Sequence, residues 1–244
     1  MEYYNGKFNS IFFDLGGTLI SLNSLFSSML TTLQRYLNNK EKLDMVVKWA
    51  QITYELLNEV RYKQFLSIKK NHKEALGETL KIYNITLTES EIDSIVYNVW
   101  KDFSENYELF PDVQPVLTEL KKKGYKLGII TDADIDVVEN ILQQPALKGF
   151  FDAVVISERL QTYKPNPSLF KKGIDLIKCK PEEAVYVGDS EKDIAGAKKI
   201  GLKTVVIKRD EMFHEPATNV EPDFVLNSLS ELFDVLSKIN KDGL

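Results

Sequence analysis

The sequence predicts an α/β fold: an open parallel sheet covered by helices and interrupted by one all-helical insert. Three observations predict it. Six short apolar runs, near residues 11–13, 127–130, 153–156, 184–187, 204–207 and 224–226, are rich in β-branched or aromatic residues and lie between turn signals, as buried strands do. Segments of helical periodicity separate most of them, and such alternation implies parallel strands joined by crossover helices. Between residues 21 and 109, by contrast, there is no convincing strand and apolar residues recur at threes and fours.

The first run ends on Asp14 and breaks at once into Gly16-Gly17-Thr18, a turn signal. In the insert, Trp49, Ile52, Leu56 and Val60 form one helical stripe, and Ile92, Ile95, Val96, Val99, Trp100 and Phe103 form a second. Both are expected to pack inside a helical bundle. Phe110-Pro111-Asp112 closes the insert, because proline disfavours helix in the residue before it. Val113, Val116, Leu117 and Leu120 mark the next helix, which stops at Lys123-Gly124; another runs from about Ser190 to Ile200 before Gly201. The expected organisation is residues 1–20 and 110–244 as a Rossmann-like core, with 21–109 as the helical insert.

Bulk properties narrow the function classes. A net charge of −5 over 244 residues gives no electrostatic reason to expect nucleic acid, so small molecules are the expected partners. The single cysteine, Cys179, has no intramolecular disulfide partner, and His72 and His214 lie far from it without zinc-ligand spacing. No stretch approaches 18 uninterrupted apolar residues, and residues 1–10 lack the pattern of a secretory signal. A cytoplasmic protein without membrane spans is expected, and Asn84-Ile85-Thr86 then matches a glycosylation acceptor by chance. Composition leaves the oligomeric state open.

Chemistry-bearing residues share one topological address. Asp14 follows the first strand, Thr131 ends the second, Lys164 follows the third and Asp189 follows the fourth. In an open parallel sheet the carboxyl ends of neighbouring strands converge on one crevice. Each residue also has an ordinary reading: Asp14 as a turn residue, Thr131 as a helix cap, Lys164 as a surface lysine, and Asp189 with Asp193 as a charged helix start.

Together the motifs FFDLGGTL, LGIITDAD, TYKPNPSLF and AVYVGDSEKDIAGAKKIG resemble, in order, the four motifs of the haloacid dehalogenase superfamily, in the subfamily whose helical cap is inserted after the first strand. The resemblance spans the core, while the cap matches by position and helicity only. It implies a hydrolase in which Asp14 is the nucleophile and forms an aspartyl-phosphate. Thr131, with backbone N–H groups at Leu15, Gly16 and Asp132, would bind the phosphoryl group, and Lys164 would neutralise it. It further implies Mg²⁺ held by Asp14, the Gly16 carbonyl and Asp189, with Asp193 holding a metal-bound water or orienting Lys164. The substrate would be a small phosphorylated metabolite.

One departure stands beside the nucleophile. Most phosphatases of the family carry an aspartate, the general acid and base, where this chain has Gly16. Three readings follow: a phosphomonoester hydrolase whose leaving group needs little protonation or finds another acid; a metal-independent 2-haloacid dehalogenase; or a phosphate-ester binding protein of impaired turnover. The GDSEKD form of the fourth motif favours the first. Asp132 and Asp134 are unusual nearby carboxylates, open to readings as a substitute acid or as helix-capping residues. Arg61, Tyr62, Lys63, Phe65, Lys69, Lys70 and Lys73 concentrate basic and aromatic groups in the insert, either as a solvated helix face or as a lining of the opening that selects a second anionic group.

Overall fold

The computed structural model describes residues 7–37, 42–210 and 219–241. His214 lies outside them. In chain order, β1 (Ser10–Phe13) leads to the two-residue β2 (Ile20–Ser21), then to α1 (Asn23–Tyr36), α2 (Lys42–Val60), α3 (Ile68–Ile82), α4 (Glu89–Asn106) and β3 (Glu108–Leu109). After these come α5 (Val113–Lys122), β4 (Lys126–Thr131), α6 (Ile135–Gln143), β5 (Ala153–Ile156), α7 (Ser157–Leu160) and α8 (Pro167–Ile177). The chain continues through β6 (Ala184–Gly188), α9 (Glu191–Lys198), β7 (Lys203–Ile207), β8 (Phe224–Leu226) and α10 (Leu232–Lys241).

The six expected strands form one parallel sheet in the order β5-β4-β1-β6-β7-β8. Every residue of β1 is buried because helices cover both faces of the sheet: Ile11 and Phe13 join one apolar cluster, and Phe12 joins the other with Phe170, Ile130 and Tyr186. From β1 the chain winds first toward β5 and then, through β6, toward β8. The strand order therefore reverses between β1 and β6, and an open sheet of this kind leaves a crevice at the carboxyl ends of those two strands. Asp14 and Asp189 are the residues that emerge there.

Helices α1–α4 pack on one another between β2 and β3. Trp49, Ile52, Ile95, Val96, Val99, Trp100 and Phe103 are buried as their spacing predicts, while Leu56, Val60 and Ile92 are only partly covered. Thr88 and Glu91 form a capping box at the start of α4, each side chain satisfying a backbone N–H that the first turn leaves unpaired. β2 and β3 were not expected. They pair antiparallel, Ile20 with Leu109 and Ser21 with Glu108, and so join the chain entering the helical region to the chain leaving it. Two-residue strands are too short to display a periodicity of two. The described residues include no helix long and apolar enough to cross a membrane.

Candidate active site

The tight turn after β1 is built for close approach. Gly17 has a φ of +75°, and a Cβ there would lie 2.6 Å from Asp189 Oδ2. Gly188, at the end of β6, is pressed in the same way: its Cβ would fall 2.5 Å from Asp193 Cγ. The two glycines thus let two carboxylates close on the β1 turn. Thr18 fixes one of them, its hydroxyl donating to Asp189 Oδ1 at 2.9 Å.

Asp14, Asp189 and Asp193 bring ligand oxygens within 4.8 Å of one another. Lys164, arriving from the loop before α8, places its Nζ 2.8 Å from Asp14 Oδ1 and 2.7 Å from Asp193 Oδ1, and its side chain is 1 % exposed. Its ammonium is aligned for a hydrogen bond to Asp193, whereas Asp14 Oδ1 is close enough for an ion pair but lacks an aligned donor. Asp193 is fully engaged. Its Oδ2 accepts from the Ser190 N–H at 3.1 Å and the Ser190 hydroxyl at 2.6 Å, the reciprocal pairing of a capping box at α9. The Tyr186 hydroxyl lies 2.8 Å from Asp193 Oδ1 and 3.0 Å from the Ile130 carbonyl, donating to one at a time. Both Asp193 oxygens are thus taken up by protein donors, Lys164 among them.

The electrostatics follow from burial. Desolvation pushes Asp14 up to about 6 against the pull of Lys164. Asp189 is raised well above the ordinary carboxylate range, first by burial and then by the charges of Asp193 and Asp14. For Lys164 burial works to lower the pKa, but Asp14, Asp193 and Asp132 together hold it above its usual value, so the ammonium stays charged. Three carboxylates face Lys164 and, at Asp189 and Asp193, the charge of Lys192, an excess of negative charge that a divalent ion with oxygen ligands would correct. Among the described residues the Gly16 carbonyl accepts no hydrogen bond. The orphaned Asp14 oxygen, the raised Asp189 and this carbonyl therefore fit the implied Mg²⁺.

Thr131 is the last residue of β4 and is buried, in a strand whose Ile129 pairs with Phe13. Leu15 is buried, and its backbone N–H faces the Asp14 carboxylate. Asp132 differs from both sequence readings. Its Oδ2 accepts from Arg61 Nη1 at 2.7 Å and its Oδ1 from the Lys164 N–H at 3.0 Å, so it is neither a helix cap nor a free proton donor, and its side chain is not open to a phosphoryl group. Asp134 occupies the N-cap position of α6 yet caps a different helix: Oδ1 and Oδ2 accept from the N–H groups of Ile68 and Lys69, the first two residues of α3. Glu158 serves α6 instead through the Ile135 N–H. Because a helix N-terminus loses about 1 kcal/mol when its capping oxygen is removed, Asp134→Ala should lower stability by roughly 1–2 kcal/mol. It should also speed amide hydrogen exchange at Ile68 and Lys69 in particular. Unchanged exchange at those two amides would remove the capping role.

The basic segment divides. Residues 61–67 are a connection rather than a helix face, and Arg61 turns inward, 7 % exposed, with Nη1 also donating to the Lys164 carbonyl at 2.7 Å. Phe65 stacks against Tyr163, whose hydroxyl donates to the Leu66 carbonyl. Lys69 pairs with Asp136, and Lys73 turns outward to Glu89 and Asp93. Tyr62, Lys63 and Lys70 are exposed.

Three residues at or near the site escaped the sequence reading. Tyr186 had a usable signal, since a tyrosine inside a fully buried strand needs a partner for its hydroxyl. Thr18 had none beyond its place in the turn. Arg209 follows β7 and clamps the Thr18 carbonyl at 2.9 Å and both oxygens of Asp112 at 2.9 Å, while its guanidinium lies 4.1 Å from the Phe110 ring centre. It therefore ties the β1 turn to the exit from the helical insert. That link joins residues 191 positions apart.

The sequence pattern of the haloacid dehalogenase-like hydrolase family matches residues 11–207. A pyrophosphatase PpaX from Bacillus cereus is 33 % identical over 236 residues, covering 96 % of this chain and 99 % of that protein. Two solved structures share the fold. The L-2-haloacid dehalogenase from Xanthobacter autotrophicus has a TM-score of 0.77 at 20 % identity, covering 94 % of this chain and 98 % of that one. YfnB from Bacillus subtilis, solved bound to magnesium, has a TM-score of 0.80 at 20 % identity with the same coverage.

Proposed function

This chain belongs to the haloacid dehalogenase-like hydrolases, and from that membership we propose that it is a Mg²⁺-dependent phosphohydrolase acting through an aspartyl-phosphate on Asp14. The observation that carries the reading is the Lys164 ammonium held between Asp14 and Asp193 with Asp189 beside them. A third carboxylate beside this pair suits a divalent cation and a phosphoryl substrate, whereas displacement of halide from carbon needs no metal. The identity of 33 % to a protein named a pyrophosphatase points the same way.

In this reading an Asp14 oxygen attacks phosphorus in line with the leaving group, the P–O bond to that group breaks, and its oxygen departs with the electron pair. Lys164 offsets charge on the nucleophile before attack and on the phosphoryl oxygens during it. The Thr131 hydroxyl and the N–H groups of Leu15, Gly16 and Asp132 hold those oxygens. Bound Mg²⁺, held by Asp14, Asp189 and the Gly16 carbonyl, would supply further charge neutralisation. Water then attacks phosphorus, the bond from phosphorus to Asp14 breaks with its electron pair returning to the carboxylate, and orthophosphate leaves as the water's proton passes to a phosphoryl oxygen or to solvent. The helices at 21–109 act as a cap over the crevice, and the core occupies 1–20 and 110–244.

Gly16 sets the substrate class. An alkoxide must be protonated as it leaves, whereas phosphate departs from pyrophosphate as a stable anion near neutral pH, so a site without the usual acid is suited to phosphoanhydrides and aryl phosphates. The substrate is thus a small phosphorylated compound with a good leaving group, pyrophosphate first among them, and the enzyme is cytoplasmic. The test is a panel of pyrophosphate, aryl phosphate, alkyl phosphates and 2-haloacids, each with and without Mg²⁺. Metal-dependent phosphate release from the first two is expected, and metal-independent halide release would overturn the proposal. Gly16→Asp is a second check. A Cβ at Gly16 meets only the Leu22 side chain, 3.0 Å away at Cδ2, which a small rotation relieves. The variant should hydrolyse alkyl phosphates on the order of 10²-fold faster, the usual contribution of a general acid. No gain in a folded, metal-binding variant would mean that a missing acid is not what limits the enzyme.

A further inference from the structure

A cleft of about 380 Å³ opens between the 61–65 connection of the helical insert and the loop that carries Lys164. None of Asp14, Thr131, Lys164, Asp189 or Asp193 lines it, so it lies apart from the catalytic carboxylates. Its charge is of one sign. Arg61, Lys63 and Lys199 contribute cations, and no Asp or Glu is among the lining residues. The start of α8, an 11-residue helix, also faces it through Asn166 and Pro167, adding the positive end of a helix dipole.

Arg61 shows that the cleft is more than a basic surface. Both of its side-chain hydrogen bonds, to Asp132 and to the Lys164 carbonyl, use Nη1. Its Nη2 and Nε make no hydrogen bond among the described residues although the side chain is only 7 % exposed. Neither atom is fully buried, so this edge is the part of the guanidinium that solvent reaches, and phosphate oxygens fit its planar fork. Beside it Tyr62 is 77 % exposed, and Phe65 offers a second ring on the same wall. An exposed ring such as that of Tyr62 stacks on planar heterocycles, with the partly buried Phe65 beneath it, and Gln64, Gln161 and Thr162 line the cleft with donors and acceptors.

We propose that this cleft is a second, non-catalytic binding site for a nucleotide, whose phosphate meets Arg61, Lys63 and Lys199 and whose base lies against Tyr62 and Phe65. Its volume falls within the range of small-ligand pockets, about 300–1,000 Å³. Because Arg61 also holds the Lys164 carbonyl, the occupant touches the loop that positions the catalytic lysine.

The experiment is calorimetric titration of the magnesium-loaded protein with α,β-methylene-ADP, whose bridging carbon prevents cleavage. One site per chain is expected, weakened roughly tenfold or more in Lys63→Ala/Lys199→Ala, since a tenfold change needs only about 1.4 kcal/mol from two ion pairs. Asp189→Asn should bind the nucleotide as the native protein does. Methylenediphosphonate, which lacks the base, should bind at least several-fold more weakly at this site. Loss of binding in Asp189→Asn with retention in the double lysine variant would place the nucleotide in the catalytic site and overturn the proposal. So would equal binding by every variant, no binding at all, or equal affinity for the two ligands.

Discussion

Lys164→Met is expected to destabilise the protein by about 3–5 kcal/mol, the usual cost of removing one partner from a buried ion pair, and to abolish measurable turnover. The residue sits at 0 % exposure with two carboxylates within 2.8 Å, so methionine would preserve the length of the chain but leave Asp14 and Asp193 charged, desolvated and facing each other. Their ionised forms then lose their main counterweight, and both carboxyls are driven toward protonation. A protonated Asp14 is a poor nucleophile. Turnover should fall by at least 10²–10³-fold, the order of one electrostatic stabiliser, before any loss from the altered nucleophile is added. Denaturant unfolding and pyrophosphate hydrolysis measure the two effects. The partner variant Lys164→Met/Asp193→Asn separates them: removing the second buried charge should recover part of the stability without recovering activity. A single variant as stable as the native protein would show that the ion triad is solvated in solution.

The second large effect concerns a residue far from the chemistry. His72, in α3, is 5 % exposed, stands edge-on to Trp49 and Trp100 at ring separations of 5.6 and 4.9 Å, and leaves its Nδ1 without a partner. Burial, with no charged neighbour contributing, lowers its pKa from 6.5 to about 3. The folded protein therefore keeps His72 neutral at pH values where the unfolded chain takes up a proton. Stability that is complete above pH 6.5 must fall as the pH drops from about 6.5 toward 3, by roughly 2 kcal/mol at pH 5 at 1.4 kcal/mol per pH unit. His72→Phe keeps a ring in the aromatic cluster and cannot titrate. Urea unfolding at pH 7 and pH 5 should show a smaller loss in the variant than in the native protein by about that amount, and an identical loss in both would mean that water reaches the imidazole.

Much of the molecule was legible in the chain. All six strands of the parallel sheet sit where β-branched and aromatic runs placed them, because burial on both faces demands uninterrupted apolar residues and turns must punctuate them. The convergence of Asp14, Lys164, Asp189 and Asp193 was likewise readable, since strand order alone brings the carboxyl ends of β1 and β6 together. β2 and β3 were not readable, being too short to carry a pattern. The partner of Asp132 and the helix that Asp134 caps were illegible for a different reason. Local rules assign an acid at a helix start to its own helix, and nothing local announces that Arg61 and the N-terminus of α3 lie across the interface as competing donors.

The sequence by itself determined the fold class, the helical stretch between the first two long strands and the polar residues that stand at the strand ends, because apolar periodicity and residue chemistry are properties of short stretches of chain. Only the tertiary structure decided which acceptor is served by which donor: Asp193 by Lys164, Asp132 by Arg61, Asp134 by α3, and the Thr18 carbonyl by Arg209. The physical reason is that a buried polar atom must find a partner, and packing selects that partner from atoms tens to hundreds of residues away.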